Sequence, residues 1–532
     1  MAQREHDIPE LPKGAGDPVR HPLVEMLVIG APTVVTMTSY TVMQFVDGMM
    51  VAHIQPPNPA YVAAQGNGGM FVWLAMAACL GLLSLINSFV SQNLGAGTPE
   101  KGAAYAWNGI WLAACASILF IPYALLMGPI FKAIHPAPEQ ADLVRMELSY
   151  AHVLIAGAFL TLASRGLANY FFGMHKPGVV MVAVLLGNVV NVFANAVLIF
   201  GAAGAPEGTP FREFFRSIAQ SLGVDAMGVT GAALGTVIGT AFELVIPFCV
   251  FLGPRWNTKY HTRAAWRPAS KPLKDLLRVG WPAGLMMGNE LVCWGMLMAW
   301  LVPMGGEAAG EDPVVHNAAG WIALRYMHVA FMPAIGLSIA VSAMVGRAMG
   351  MGRPDLAAAR AWLGLKVTLT YMGVCALAFV IFRGDMISVF VPSDMSPEAR
   401  DAVLRVGSSI MIAAAVFQLF DACAITMSAS LRGAGDTVWP GIATIVLSWS
   451  LIVGGGLLMI QVAPGLGSLG PWTGAASYIV VLGIVLLARF MQGKWRSIRL
   501  AGPAREGEGP VTTAYSVEGS EEALAGVTPG SA

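Results

Sequence analysis

At 532 residues, 56% of them hydrophobic and only 12% charged, the chain is too apolar for a soluble multidomain protein. Its 31 Lys and Arg balance 31 Asp and Glu, so no bulk field draws nucleic acid. Its 61 glycines and 30 methionines suit packed membrane helices, where small residues let backbones approach closely.

The chain opens on a polar segment, residues 1–22, with no apolar core of a signal peptide, so the first apolar stretch is expected to direct insertion. A membrane span needs about 20 mostly apolar residues. Six stretches satisfy that near 24–54, 66–94, 104–131, 148–172, 177–201 and 227–252. Six more lie near 276–304, 315–348, 361–382, 404–431, 437–461 and 472–492. The expected organisation is an N-terminal six-helix half over 23–252, a linker over 253–273 and a C-terminal six-helix half over 274–492. A Gly-, Glu- and Ser-rich tail over 493–532 reads as disordered.

Basic residues set the orientation. The linker carries Arg255, Lys259, Arg263, Arg267, Lys271, Lys274 and Arg278, and Lys494, Arg496 and Arg499 follow the last span. Linker and both termini are therefore placed in the cytoplasm. Loops 55–65, 303–315 and 461–471 lack Lys and Arg and fall outside. In the outer loop 201–226, FREFFRSIAQSL reads as a short interfacial helix.

The halves echo one another. Val90–Ala104 and Val345–Ala359 follow the second and eighth spans with a shared V, G-x-G, P and closing AA. IGAP (Ile29–Pro32) matches VGWP (Val279–Pro282), and FFGMHKPG matches GAGDTVWPG between spans four and five, and ten and eleven. Six helices repeated in the same order predict parallel repeats, with the substrate between the halves and alternating access by their rocking.

Three acids stand alone in these apolar stretches: Asp47, Glu290 and Asp421. A charge at a helix centre costs roughly 2.5–3.5 kcal/mol, hence roughly 8–10 for three before any pairing. Such residues are expected to bind an ion, a proton or a cationic ligand. Helical spacing puts Thr36, Tyr40, Met43 and Gln44 on the face of Asp47, a polar stripe suited to hydrogen-bonding it; the alternative is an acid solvated near the outer interface. Asn188, Asn191 and Asn195 share one face of span five and either close a network on Asp47 or act as interhelical glue. Glu290 has Met286, Met287, Cys293, Trp294 and Leu297 around it, little competing hydrogen bonding: protonated it is tolerable, ionised it wants a cation. Asp421 has Phe417, Gln418, Ile425 and Ser428 on its face. Arg325 and His328 lie in span eight; Arg325 either pairs with Glu290 or Asp421 or sits by an outer vestibule. Glu243 is read as structural. Gly228, Gly231, Gly235 and Gly239 suit close helix packing, with no Lys-Ser/Thr after them to make a phosphate loop. The six scattered cysteines read as small buried hydrophobes.

Several motifs in order carry a family resemblance: F-V-D at Phe45–Asp47, V-S-Q-N-L-G-A-G after span two, and N-x-x-N-x-x-x-N at Asn188, Asn191 and Asn195. G-W-P-A-G…N-E in span seven and the run from Asp421 to Asp436, its acid ten residues before L-R-G, complete the set. The pattern resembles the multidrug and toxic compound extrusion (MATE) family, in its bacterial NorM-like branch, over residues 24–490. The resemblance implies an all-α polytopic membrane protein of twelve transmembrane helices in two six-helix repeats, a transporter and not an enzyme. It implies an exporter in the bacterial inner membrane, antiporting lipophilic cationic drugs or metabolites against inward protons or sodium. Asp47, Glu290 and Asp421 are its implied functional carboxylates.

Phe417 stands where the NorM-like pattern often has Tyr. Losing that hydroxyl removes an oxygen from any sodium site at Glu290 and Asp421, which favours protons. The expected partners are the bilayer and small cations, with no nucleic acid, no cofactor beyond the coupling ion, and a monomeric chain. The rival readings are a lipid-linked oligosaccharide flippase, which should line its cavity with bases, and a polytopic membrane enzyme, which needs a catalytic cluster that the nine histidines do not form.

Overall fold

The computed structural model describes residues 21–58, 60–391 and 397–500. Residues 1–20 and 501–532, most of the expected N-terminal segment and tail, lie outside the described residues. Apolar runs of more than 20 residues with few interior breakers dictate helices, and the described residues contain helices and turns with no strand. In the first half these are α1 (Pro22–Ala52), α2 (Ala60–Gly95), α3 (Glu100–Ile134), α4 (Ala141–Ala156 and Ala158–Gly173), α5 (Pro177–Phe200) and α6 (Gly228–Leu252). In the second they are α7 (from Ser270–Met296 on to Ala308), α8 (Pro313–Gly350), α9 (Pro354–Ile381), α10 (Pro397–Ala434), α11 (Val438–Val462) and α12 (Leu469–Met491). Eleven are long and apolar enough to cross a membrane outright, and α4 makes twelve as a span bent by 48°. The bend falls at Gly157, where a side chain would run into Val237 of α6.

The seventh helix starts at Ser270, inside the basic stretch read as linker, and a short helix, Pro254–Tyr260, precedes it. Residues Arg212–Leu222 form a helix with Phe211, Phe214 and Leu222 exposed. Phe193 of α5 meets the rings of Phe214 and Phe215 edge-on and anchors it. Two π-helical stretches interrupt the second half, Leu297–Leu301 at the end of α7 and Ser448–Gly454 in the middle of α11.

Each half has its own core, one around Leu83, Phe89, Phe171 and Phe251 and the other around Met344, Met411, Met427 and Trp472. The halves join where α1 crosses α8 and α2 crosses α7. Thr33 Oγ1 donates to Gly336 O at 2.7 Å, and methyl groups at Gly336, Gly284, Gly346 or Gly350 would overlap Val34, Ala78, Ser91 or Gln92 across the seam. Gln92 Nε2 donates to Gly433 O at 2.9 Å, and Arg360 Nη2 lies 2.6 Å from Glu25 Oε2. These ties gather at the end of the bundle that bears the linker. Toward the other end each half packs mainly on itself, as where His316 meets Ser468 at 2.7 Å, although Met70 still reaches Gly295.

The six cysteines are all free; Cys293 and Cys423 are buried, but Cys115 and Cys249 are exposed on outward helix faces, unlike the uniform burial expected. A thiol on such a face meets lipid, where a small hydrophobe is as comfortable as in the core.

The seam's tolerance for side chains can be tested directly. Gly81→Ala would drive a methyl into the Ala283 carbonyl, whereas Gly48→Ala meets nothing within 4 Å. Gly81→Ala is expected to cost about 1–3 kcal/mol in thermal unfolding of the purified protein. Gly48→Ala should be neutral or stabilising by up to about 1 kcal/mol, as alanine is in a helix interior.

Candidate functional site

The first-half site is built where α1, α5 and α6 meet. Asp47 is 8% exposed and accepts from Asn195 Nδ2 at 2.6 Å. The same amide donates to Asn191 Oδ1 at 2.9 Å, and Asn191 Nδ2 donates to Thr236 Oγ1 at 3.4 Å. The glycines of α6 make this approach possible. A methyl at Gly235 would strike Asn195 Oδ1, and one at Gly239 would lie 2.7 Å from Asn191 Cβ. Packing and polarity are therefore one design: the glycine stripe lets α5 come close enough for its asparagines to serve α1.

The expected polar stripe on α1 does not serve Asp47. Thr36 Oγ1 turns back to Pro32 O at 2.7 Å, and Gln44 is exposed. Tyr40 lies two helical turns away, too far for a direct bond, and donates instead to Glu243 Oε2 at 2.9 Å. Asn188 likewise reaches Ser39 Oγ, at 2.6 Å, and not the acid. The network on Asp47 thus comprises Asn195 and Asn191 of the three asparagines. Glu243, read from sequence as structural, is buried, and the Arg165 guanidinium lies 3.9 Å over the Tyr40 ring. Their common signal was a lone acid and a lone base in neighbouring apolar spans.

The second-half site gathers α7, α10, α11 and α12. Tyr478 Oη donates to Glu290 Oε1 at 2.7 Å, so the acid has a donor that the apolar company on its own helix concealed. Next to it, Asn289 Nδ2 donates to Ser448 Oγ at 2.7 Å, and Trp449 Nε1 donates to Asn289 Oδ1 at 2.7 Å. Ser448 and Trp449 begin the π-helical stretch of α11, which re-aims side chains into the site, a known use of such turns. Asp421 is within electrostatic reach of both Glu290 and Tyr478. Among the described residues no side chain donates to it. Gln418, one turn away and 1% exposed, leaves its Nε2 without a partner. Phe417 packs in the core of this half, 3% exposed.

Arg325 pairs with neither acid. It is exposed on α8 with its guanidinium 5.6 Å from the Phe390 ring, and His328 is exposed on the same helix. The sequence placed Arg325 in a span but not on a face; α8 turns it outward, where the segment after α9 supplies an aromatic surface.

Chemically, each site offers carboxylates held by neutral donors: an amide for Asp47, a phenol for Glu290. Neutral partners orient a carboxylate without cancelling its charge, which leaves it free to take up a proton or a small cation. Glu290, Asp421, Tyr478 and the Asn289–Ser448 pair together supply oxygen donors of the kind hard cations prefer. Among the described residues no three His, Cys, Asp or Glu side chains cluster as a metal site.

Comparison with known proteins agrees with this architecture. The MatE family model matches residues 32–197 and 292–454. A probable multidrug resistance protein NorM of Pseudomonas putida is 26% identical over 482 residues, covering 91% of this chain and 96% of that protein. The multidrug resistance protein MdtK of Yersinia enterocolitica is 27% identical over 480 residues, covering 87% and 94%. A multidrug resistance MATE family transporter of the MOP superfamily, solved in an outward-facing conformation, has a similar fold with a TM-score of 0.71. It is 20% identical, with 92% of this chain and 99% of that one covered.

The Asp47 network yields a coupling test. Asn195→Ala removes the donor, and Gly235→Ala displaces it; each should cost about 1–3 kcal/mol of stability, the usual cost of stranding a buried polar group. Because both act on one contact, the double variant should cost clearly less than the sum in a thermal-unfolding cycle. Strict additivity would show that Gly235 does not serve Asn195.

Proposed function

Because this chain belongs to the MatE family, we propose that it exports lipophilic cationic compounds from a bacterial cell in exchange for inward-moving protons, with sodium as the alternative coupling ion. It is a multi-pass membrane transporter and not an enzyme, and its relatives carry multidrug resistance names. The basic residues at the linker end of the bundle favour the cytoplasmic side for that end and both termini. The glycine seam then closes the cytoplasmic side, and the space between the halves opens outward.

The observation that carries this reading is the pair Glu290 and Asp421, two carboxylates in one electrostatic neighbourhood, Glu290 held by Tyr478 and neither with a basic partner among the described residues. Two like charges in a membrane interior repel, so the pair favours uptake of one positive charge. In the outward-open state that charge is a proton from outside; a bound substrate cation competes for the same carboxylates and leaves when the proton arrives. Linkage makes the competition mutual: the free energy by which protonation weakens substrate binding is the free energy by which substrate weakens protonation. Asp47, held in the other half by Asn195, provides a second acid for the facing wall. Arg325 turns away from Glu290 and Asp421, so it does not pre-empt that pair.

Everted vesicles test this. Glu290→Gln and Asp421→Asn should each abolish uptake of a fluorescent cation while leaving folded protein in the membrane at wild-type amounts. Wild-type rates in either variant would remove the acid pair from the mechanism. Substrate addition should release protons in sodium-free buffer; sodium-stimulated uptake without proton movement would assign sodium as the coupling ion.

A further inference from the structure

Arg165, Tyr40 and Glu243 take no part in the exchange described above, yet they meet in the geometry of cation recognition. The Arg165 guanidinium of α4 sits face-on over Tyr40 of α1, 3.9 Å from the ring centroid. The Tyr40 hydroxyl donates to Glu243 Oε2 of α6 at 2.9 Å, and Arg165 is near enough for its charge to act on Glu243. An aromatic face backed by a carboxylate is the arrangement that holds a delocalised cation, and a guanidinium is such a cation. Glu243 is 9% exposed and a side chain at Gly187 would overlap it, so the acid is fixed in place. Tyr40 and Arg165 are only half-buried.

The repeat supplies an independent observation. The register that superposes Ile29–Pro32 on Val279–Pro282 superposes Tyr40 on Glu290. Each half joins its first and sixth helices by a tyrosine–glutamate hydrogen bond, Tyr40 to Glu243 and Tyr478 to Glu290, with the two partners exchanged. The acid of the second half faces no base, whereas that of the first half has one at hand.

We propose that the Tyr40 ring and the Glu243 carboxylate form a second cation-recognition site, for planar cations of delocalised charge, and that Arg165 fills it as a tethered occupant which such a substrate displaces. The proposal rests on the cation-export reading for its ligand class. It makes Arg165 a competitor of substrate, so its removal strengthens binding, whereas a purely structural arginine would leave affinity unchanged or weaken it.

The test is ethidium binding to the full-length protein in lipid nanodiscs, followed by fluorescence. Arg165→Ala should lower the ethidium Kd about tenfold, the scale of a desolvated cation–π contact. Adding Glu243→Gln should cancel that gain. Millimolar guanidinium should compete with ethidium in Arg165→Ala and not in the wild type, because free guanidinium refills the vacated face. Arg165→Lys, which keeps the charge but not the planar stack, should give a smaller gain, and it decides the matter if the alanine variant does not fold. Unchanged or weaker ethidium binding in the folded variants, with wild-type binding intact, overturns this site alone. No ethidium binding by wild type or any variant overturns it together with the cation-export reading.

Discussion

The structure depends on how buried acids are held. Asp47 is held by an amide, Glu290 by a phenol and Glu243 by a second phenol, in each case across a helix–helix boundary. A neutral donor fixes the position of a carboxylate at a modest net gain per bond but leaves most of its charge uncompensated. A salt bridge would have done the opposite and locked the charge state. Such locks exist, and they sit elsewhere: Glu25 with Arg360 at the seam and Asp436 with Arg489 at 2.8 Å near the linker end. Glu25 is thus paired across the seam, while Asp47 and Glu290 are held by neutral donors.

Bringing those donors to the acids is a packing problem. Asn195 reaches Asp47 because α6 offers glycine at 235, and Glu243 fits against α5 because position 187 is glycine. In lipid the hydrophobic effect does not drive helices together, so close backbone approach must come from small residues and interhelical hydrogen bonds. The same device forms the seam, where Gly284, Gly336 and Gly350 bring main chains into contact. A seam of backbone contacts is rigid along its length but has few side chains to disentangle, which suits two bodies that rock about it.

Much of this was legible in the sequence because it follows from length and apolarity. Twelve runs, the echo of IGAP in VGWP and the lone acids needed no coordinates. Where sequence reasoning went astray, the missing quantity was the angular position of a residue relative to other helices. Tyr40 and Gln44 share a face with Asp47, yet Tyr40 bonds Glu243 on a facing helix and Gln44 is exposed, so the partner of the acid comes from α5. For the same reason Tyr478 was invisible from α7, and Arg325 could not be assigned an outward direction. The bend at Gly157 and the π-helical stretch at Ser448 also left no distinct mark in the apolar pattern.

The exchanged tyrosine–glutamate pairs sharpen the meaning of the repeat. Two six-helix halves built on one plan keep the bond between first and sixth helices but reverse which helix carries the acid. The bond is thus the retained structural element, and the placement of the charge is free to differ. In the second half the acid stands on the helix that crosses the seam, near Asp421; in the first it stands on α6, bonded by Tyr40 and attended by Arg165. One scaffold thus carries its buried glutamates on different helices in its two halves.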